Sequence, residues 1–257
     1  MKCTVLAVLM SVVVMGFAGS AGAVLLYYEG FNYPLGEGLA GQNGWVNQWG
    51  PTAMIVDGLS YPGLTSSGNA VSGEEGGDND FDDAVLPLFS THGTYYITAL
   101  LKQADENSSA PQFALETGLG TGTPTIVFAY LGGGGQSTLY IMNDGGEHIG
   151  NTGANHAMGD THLFAIRVIN QEGADDIRLV VDPTLPDEPD WDSPTYTVDW
   201  MDITNSKELR GAHFRGNPGG TLFDELRLAD TWAEAIPEPA TLCLLGLGGL
   251  ALLRRRR

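Results

Sequence analysis

The sequence predicts an all-β chain folded as an antiparallel sandwich or jelly roll, and three observations predict it. The central part, residues 24–236, breaks into short runs rich in Val, Ile, Tyr, Phe and Thr, the residue types that suit a pleated, half-buried surface. Between the runs lie glycine and Asn/Asp clusters with turn chemistry, among them Gly132–Gly135, Asn143-Asp144-Gly145-Gly146 and Glu172-Gly173, in a chain that holds 36 glycines. No apolar stripe of helical period longer than about ten residues interrupts this pattern.

Taken in order, the expected strands are Val24–Tyr28, Ala53–Val56, Val85–Phe89, Thr94–Leu101, Gln112–Glu116, Thr125–Leu131, Thr138–Met142, His162–Ile169, Ile177–Val181, Thr195–Trp200 and Thr221–Leu228. The segment Thr94–Leu101 shows the logic. Tyr95, Ile97 and Ala99 alternate with Thr94, Tyr96 and Thr98, as a strand with one buried face requires.

Two segments flank the strands. Residues 1–23 read as a secretory signal peptide: Lys2 gives a positive start and Val5–Phe17 an apolar run. Ala21 and Ala23 are the small residues a signal peptidase needs, so the mature chain begins at Val24. The alternative is a buried N-terminal helix. Residues 237–257 form a second terminal unit with three parts: Pro237-Glu238-Pro239, the apolar stretch Ala240–Leu253, and Arg254-Arg255-Arg256-Arg257. The prolines stop a helix from running in from the body. Fourteen apolar residues make about 21 Å of helix, short against a bilayer core of about 30 Å, and the arginines hold the end on the cytoplasmic side. A short span with a strong stop suits a temporary tether; the alternative is a plain anchor that stays in the membrane.

Charge narrows the partners. The net charge is −19, and of 12 Lys and Arg, five (Lys2 and Arg254–Arg257) sit in the terminal segments, so the body is strongly acidic. Nucleic acid binding needs a basic face, and this body would be repelled. Acidity fits solubility outside the cell or cation binding. Both cysteines, Cys3 and Cys243, fall in the terminal segments, so the body can form no disulfide, cysteine-bound zinc or thiol nucleophile.

The tripartite tail resembles the PEP-CTERM sorting signal of Gram-negative bacteria. That resemblance implies processing near Pro237-Glu238-Pro239 by an exosortase, a membrane-embedded protease, and an association with extracellular polysaccharide and biofilm matrix. In the body, Tyr28-Glu29-Gly30-Phe31-Asn32-Tyr33, Gly41-Gln42-Asn43-Gly44-Trp45 and Phe223-Asp224-Glu225-Leu226-Arg227-Leu228-Ala229-Asp230-Thr231-Trp232 resemble the first and last strands of a concanavalin A-like (LamG-like) jelly roll, and Leu179–Pro183 a further strand-to-turn motif. The resemblance implies that the first and last strands lie side by side, bringing the two ends of the body together.

Candidate chemistry is sparse. Jelly-roll glycoside hydrolases often carry Glu-x-Asp-x-x-Glu on one strand, with two carboxylates about 5–9.5 Å apart; that motif is absent, and Asp224-Glu225 are adjacent, so a regular strand would turn them to opposite faces. His92, His148, His156, His162 and His213 match no zinc spacing and read as exposed loop residues. Asp78, Asn79, Asp80, Asp82 and Asp83 place five oxygen-bearing side chains in six residues, either a calcium site or a solvated acidic loop. Trp191, among Pro186, Asp187, Glu188, Pro189 and Asp190, is the ring most expected to be exposed and to stack on a sugar, the alternative being core; Trp45 and Trp232 are expected in the core. The sequence thus reads as an exported surface or matrix protein whose body is non-catalytic and binds polysaccharide, with a secreted glycan-active enzyme or a purely structural protein as the alternatives.

Overall fold

The computed structural model describes residues 24–49, 52–64, 66–72, 80–85, 92–103, 112–116, 125–131, 136–142, 151–155, 159–172, 175–194, 196–200, 211–216 and 221–236. Among them fifteen strands build two antiparallel sheets.

The first sheet has eight strands: β1 (Leu25–Glu29), β3 (Met54–Asp57), β4 (Asn69–Ser72), β6 (Gly93–Gln103), β11 (Thr161–Asn170), β12 (Asp175–Val181), β13 (Tyr196–Trp200) and β15 (Thr221–Ala229). They run in the order β13-β12-β11-β6-β15-β4-β3, with β1 also on β15. The second has seven, ordered β10-β9-β8-β7-β14-β5-β2: β2 (Val46–Trp49), β5 (Asp80–Val85), β7 (Gln112–Glu116), β8 (Thr125–Leu131), β9 (Gln136–Met142), β10 (Asn151–Asn155) and β14 (Gly211–Gly216). A single short helix, α1 (Trp232–Ala235), closes the described chain.

Strand β15 organises the first sheet. One edge pairs with β6; the other is shared by β4, against Leu222 and Phe223, and β1, against Leu226–Ala229. A bulge between Asp224 and Arg227 separates the two halves, and Glu225 there adopts φ 53°. The meeting of β1 and β4 demands glycine: a Cβ on Gly68, at φ 120°, would lie 2.1 Å from the Gly30 carbonyl oxygen.

Both faces of this sheet are buried. On one face Tyr95, Ile97, Ala99 and Leu101 of β6 join Phe164, Ile166 and Val168 of β11, Ile177 and Leu179 of β12, and Phe223, Leu226 and Leu228 of β15. Phe31, buried at φ 48°, fills the end of this cluster, edge-on to Phe223 (centroids 5.6 Å apart) and tilted against Trp45 at 5.9 Å. On the opposite face Leu100, Leu163, Ala165 and Ala70 carry Leu59, Trp191, Trp232 and Ile236. The segments 58–64 and 182–194 and helix α1 therefore roof that face, which leaves the first face for the second sheet.

Candidate functional site

The expected glycan platform is corrected first. Trp191 is 5% exposed, not a free ring. It packs on the outer face of the first sheet against Trp232 (6.1 Å, 79°) and Tyr96 (6.1 Å), with the Arg167 guanidinium over its ring at 5.3 Å. Its Nε1 donates to Glu188 Oε1 at 2.8 Å, an oxygen that also accepts from Tyr96 OH at 2.9 Å, and Arg178 donates to its carbonyl. The proline- and acid-rich run around it folds back as a roof, so polar neighbours in sequence misreported its environment.

Three residues of the acidic cluster lie in a strand and not in a loop. Asp80, Asp82 and Asp83 lie in β5, paired on one side with Gly216, Phe214 and His213 of β14 and, for Asp82 and Asp83, on the other with Asn47 and Val46 of β2. Position in a sheet interior overrides the poor strand propensity of Asp. Along β5, Asp80 and Asp82 share one parity and Asp83 has the other. Asp78 and Asn79, Ala21 and Ala23, and the tail with Pro237, Glu238, Pro239 and Arg254–Arg257 lie outside the described residues. Among the described residues no helix is long and apolar enough to cross a membrane, and no group of three His, Cys, Asp or Glu could hold a metal ion.

The motif carboxylates are structural. Glu29 ends β1, is buried, and accepts from Phe31 N (2.9 Å), Tyr33 OH (2.8 Å), Asn43 Nδ2 (3.1 Å) and Trp45 Nε1 (3.3 Å), so one side chain ties both halves of the first motif. Glu225 accepts from Tyr28 OH (3.0 Å), Ser67 N (2.7 Å) and Arg227 Nη2 (3.0 Å). Asp224, 1% exposed, accepts from Leu59 N (2.8 Å) and Glu225 N (2.7 Å). Burial pushes the Asp224 carboxyl up to about 7 against those two bonds, with the Glu225 and Glu29 charges adding to the rise. A carboxyl with so high a pKa would suit an acid catalyst in a cleft, but this one faces backbone amides inside the protein.

One described surface pocket gathers titratable groups. It measures about 570 Å³ and is lined by Ser60, Tyr61, Pro62, Gly159, Asp160, Thr161, His162 and Asp182. His162 corrects the loop-histidine expectation: it is in β11 and buried. Its Nδ1 lies 2.6 Å from Asp182 Oδ2, while Leu163 N donates to Asp182 Oδ1 at 3.0 Å. Asp182 directly follows β12 at φ 53°, held by its own N–H to the Leu163 carbonyl at 2.8 Å. Burial alone would raise its pKa, but the hydrogen bonds from His162, Leu163 N and Tyr61 and the charge of His162 outweigh it and hold the carboxyl below its ordinary value. An ionised carboxylate can only accept, so the His162 Nδ1 carries the proton. The Asp182 side chain remains 35% exposed, a fixed acceptor at the pocket wall. Sequence reasoning missed this site because His162 and Asp182 are 20 residues apart and meet only through the β11–β12 pairing, Phe164 opposite Val181.

Comparison with known proteins agrees with both parts of the chain. Residues 235–257 match the PEP-CTERM protein-sorting motif. No curated protein matches the chain. Among solved structures, the endo-1,3-β-glucanase of Streptomyces sioyaensis superposes with a TM-score of 0.50 at 10% identity, covering 82% of this chain and 97% of that one. A structure of endo-acting O-glycanases from the human gut microbiota gives 0.50 at 10% identity, over 81% and 100%. The β-glucanase of Bacillus licheniformis gives 0.44 at 16%, over 82% and 97%. The two antiparallel sheets and the superposition on the endo-1,3-β-glucanase give the body a jelly-roll fold, and the C-terminal motif marks an exported protein sorted by an exosortase.

Proposed function

We propose that the body is a non-catalytic polysaccharide-binding domain, tethered briefly at the inner membrane and then placed at the cell surface or in the extracellular matrix. The pocket between Tyr61, Asp160, His162 and Asp182 carries this reading. Its volume of about 570 Å³ has room for a sugar ring, it offers carboxylate acceptors and hydroxyl groups that match sugar hydroxyls, and Tyr61 adds an aromatic ring. Asp182 is held ionised by His162 and Leu163 N, so it accepts hydrogen bonds well and donates a proton poorly, which favours binding over acid catalysis.

A polysaccharide array probed with the exported protein, with and without millimolar calcium, tests the reading. Binding to at least one polysaccharide is expected, reduced at least tenfold by Asp182→Ala, the loss of about 1.4 kcal/mol that one charge-assisted hydrogen bond supplies. Binding unaffected by that substitution, or none at all, would overturn it. Release of reducing sugar over time would instead make the chain a glycan-active enzyme.

A further inference from the structure

The first described residue lies against the last strand. Val24 N donates to Asp230 Oδ1 at 2.7 Å, and Asp230 N returns a bond to the Val24 carbonyl at 3.2 Å. Strand β1 follows at once and runs along β15, Leu25 opposite Ala229 and Glu29 opposite Leu226. Val24 is 48% exposed, so its nitrogen is open to change without repacking.

That nitrogen is the one a signal peptidase would free. Hydrolysis of the Ala23–Val24 bond adds one water: the Ala23 carbonyl carbon takes the oxygen and becomes a carboxylate, and the Val24 nitrogen leaves as an amine that is protonated at neutral pH. Before the cut, Val24 offers Asp230 a neutral amide; after it, an ammonium at charge-assisted hydrogen-bond distance.

We infer that signal-peptide removal closes an ion pair between the new Val24 α-ammonium and the Asp230 carboxylate, so that maturation at the N-terminus fastens β1 to the strand that leads into the C-terminal sorting motif. The inference rests on the reading of residues 1–23 as a cleaved signal. Asp230 is six residues before Ile236, after which Pro237-Glu238-Pro239 begins, so both processing sites belong to one end of the body. The pair also explains why an acidic side chain stands at the end of β15, where a neutral amide partner alone would be served by Asn or Ser.

The test uses the protein exported and processed by its host. Mass spectrometry first reads its N-terminus, expected at Val24. Thermal unfolding then compares the parent, Asp230→Asn, a form with Gly-Ser inserted between Ala23 and Val24, and the two changes combined. Asn keeps an acceptor and loses the charge; the insertion turns the Val24 nitrogen back into an amide. Asp230→Asn is expected to lower Tm by about 1–3 °C in the parent, the scale of a partly exposed ion pair in a domain of this size, and by much less in the Gly-Ser form. NMR titration is expected to find the α-amine above the about 7.7–8.0 of a free one, and back in that range in Asp230→Asn. A Val24 start with equal Tm losses in both backgrounds overturns the ion pair alone. A different N-terminus overturns the signal-peptide reading and the ion pair with it.

Discussion

Replacing Asp224 by Asn should flatten part of the pH dependence of stability, and the structure sets the size of the effect. Burial holds the Asp224 carboxyl at about 7 in the folded protein, whereas an unfolded Asp titrates near 3.9. Between those values the folded protein keeps a proton that the unfolded chain has lost, so stability falls as pH rises. At about 1.4 kcal/mol per pH unit, roughly 2–3 kcal/mol should disappear between pH 5 and pH 8 through this one group. The Asn side chain does not titrate. It also has a single acceptor oxygen where the carboxyl serves both Leu59 N and Glu225 N, which should cost about 1–3 kcal/mol at pH 5. Asp224→Asn should therefore be clearly less stable than the parent at pH 5 and nearly equal to it at pH 8. Urea unfolding followed by tryptophan fluorescence at both pH values measures this directly. Parallel pH profiles for the two proteins would refute the buried, proton-retaining Asp224.

Two further outcomes follow. Trp191→Ala should cost roughly 3–5 kcal/mol of stability, because it empties the roof between Tyr96 and Trp232, and should leave polysaccharide affinity unchanged well below the melting temperature; an unchanged Tm with lost affinity would restore the exposed-platform expectation. Protein extracted from the surface of its host should lack Arg254–Arg257 and most of Ala240–Leu253 by mass spectrometry, and replacement of Pro237, Glu238 and Pro239 by Ala should leave uncut precursor in the inner membrane; an intact terminus at Arg257 would make the tail an ordinary anchor.

Alternation made the long strands legible. β7 and β8 have the expected bounds, and β6, β11, β12 and β15 differ from expectation by one or two residues at their ends. What the pattern missed were β2, β4, β5, β10 and β14. These are short and poor in strand-forming residues, such as Asn-Thr-Gly-Ala-Asn in β10 and Gly-Ala-His-Phe-Arg-Gly in β14, and they are strands because their neighbours pair with them. The expected strand Val85–Phe89 shows the same bias: only Val85 belongs to a described strand, β5, whose other residues were read as an acidic loop, and residues 86–91 lie outside the described part. Local patterns could place Trp45 and Trp232 in the core and the first strand beside the last, since both rested on motifs. They could not find the Asp182–His162 pair or the burial of Trp191, which depend on strand register and on a loop folding over a sheet.

The attachment of α1 has a mechanical consequence. Thr98 Oγ1 donates to the Ala235 carbonyl at 2.9 Å, Trp232 Nε1 donates to the Pro186 carbonyl at 2.9 Å, and Ile236 is buried. The chain is thus packed up to the residue before Pro237, with no slack. Pro237-Glu238-Pro239, fully extended, reaches about 10 Å before Ala240 begins. A domain of this size has a radius of gyration of roughly 17 Å, so the leash is shorter than the body it holds. If the proposed tether holds the body at the inner membrane, so short a leash would keep the end bearing α1, with Val24 beside it, toward the membrane. On that proposal, an enzyme cutting at the leash would meet a body whose orientation is set before any contact is made.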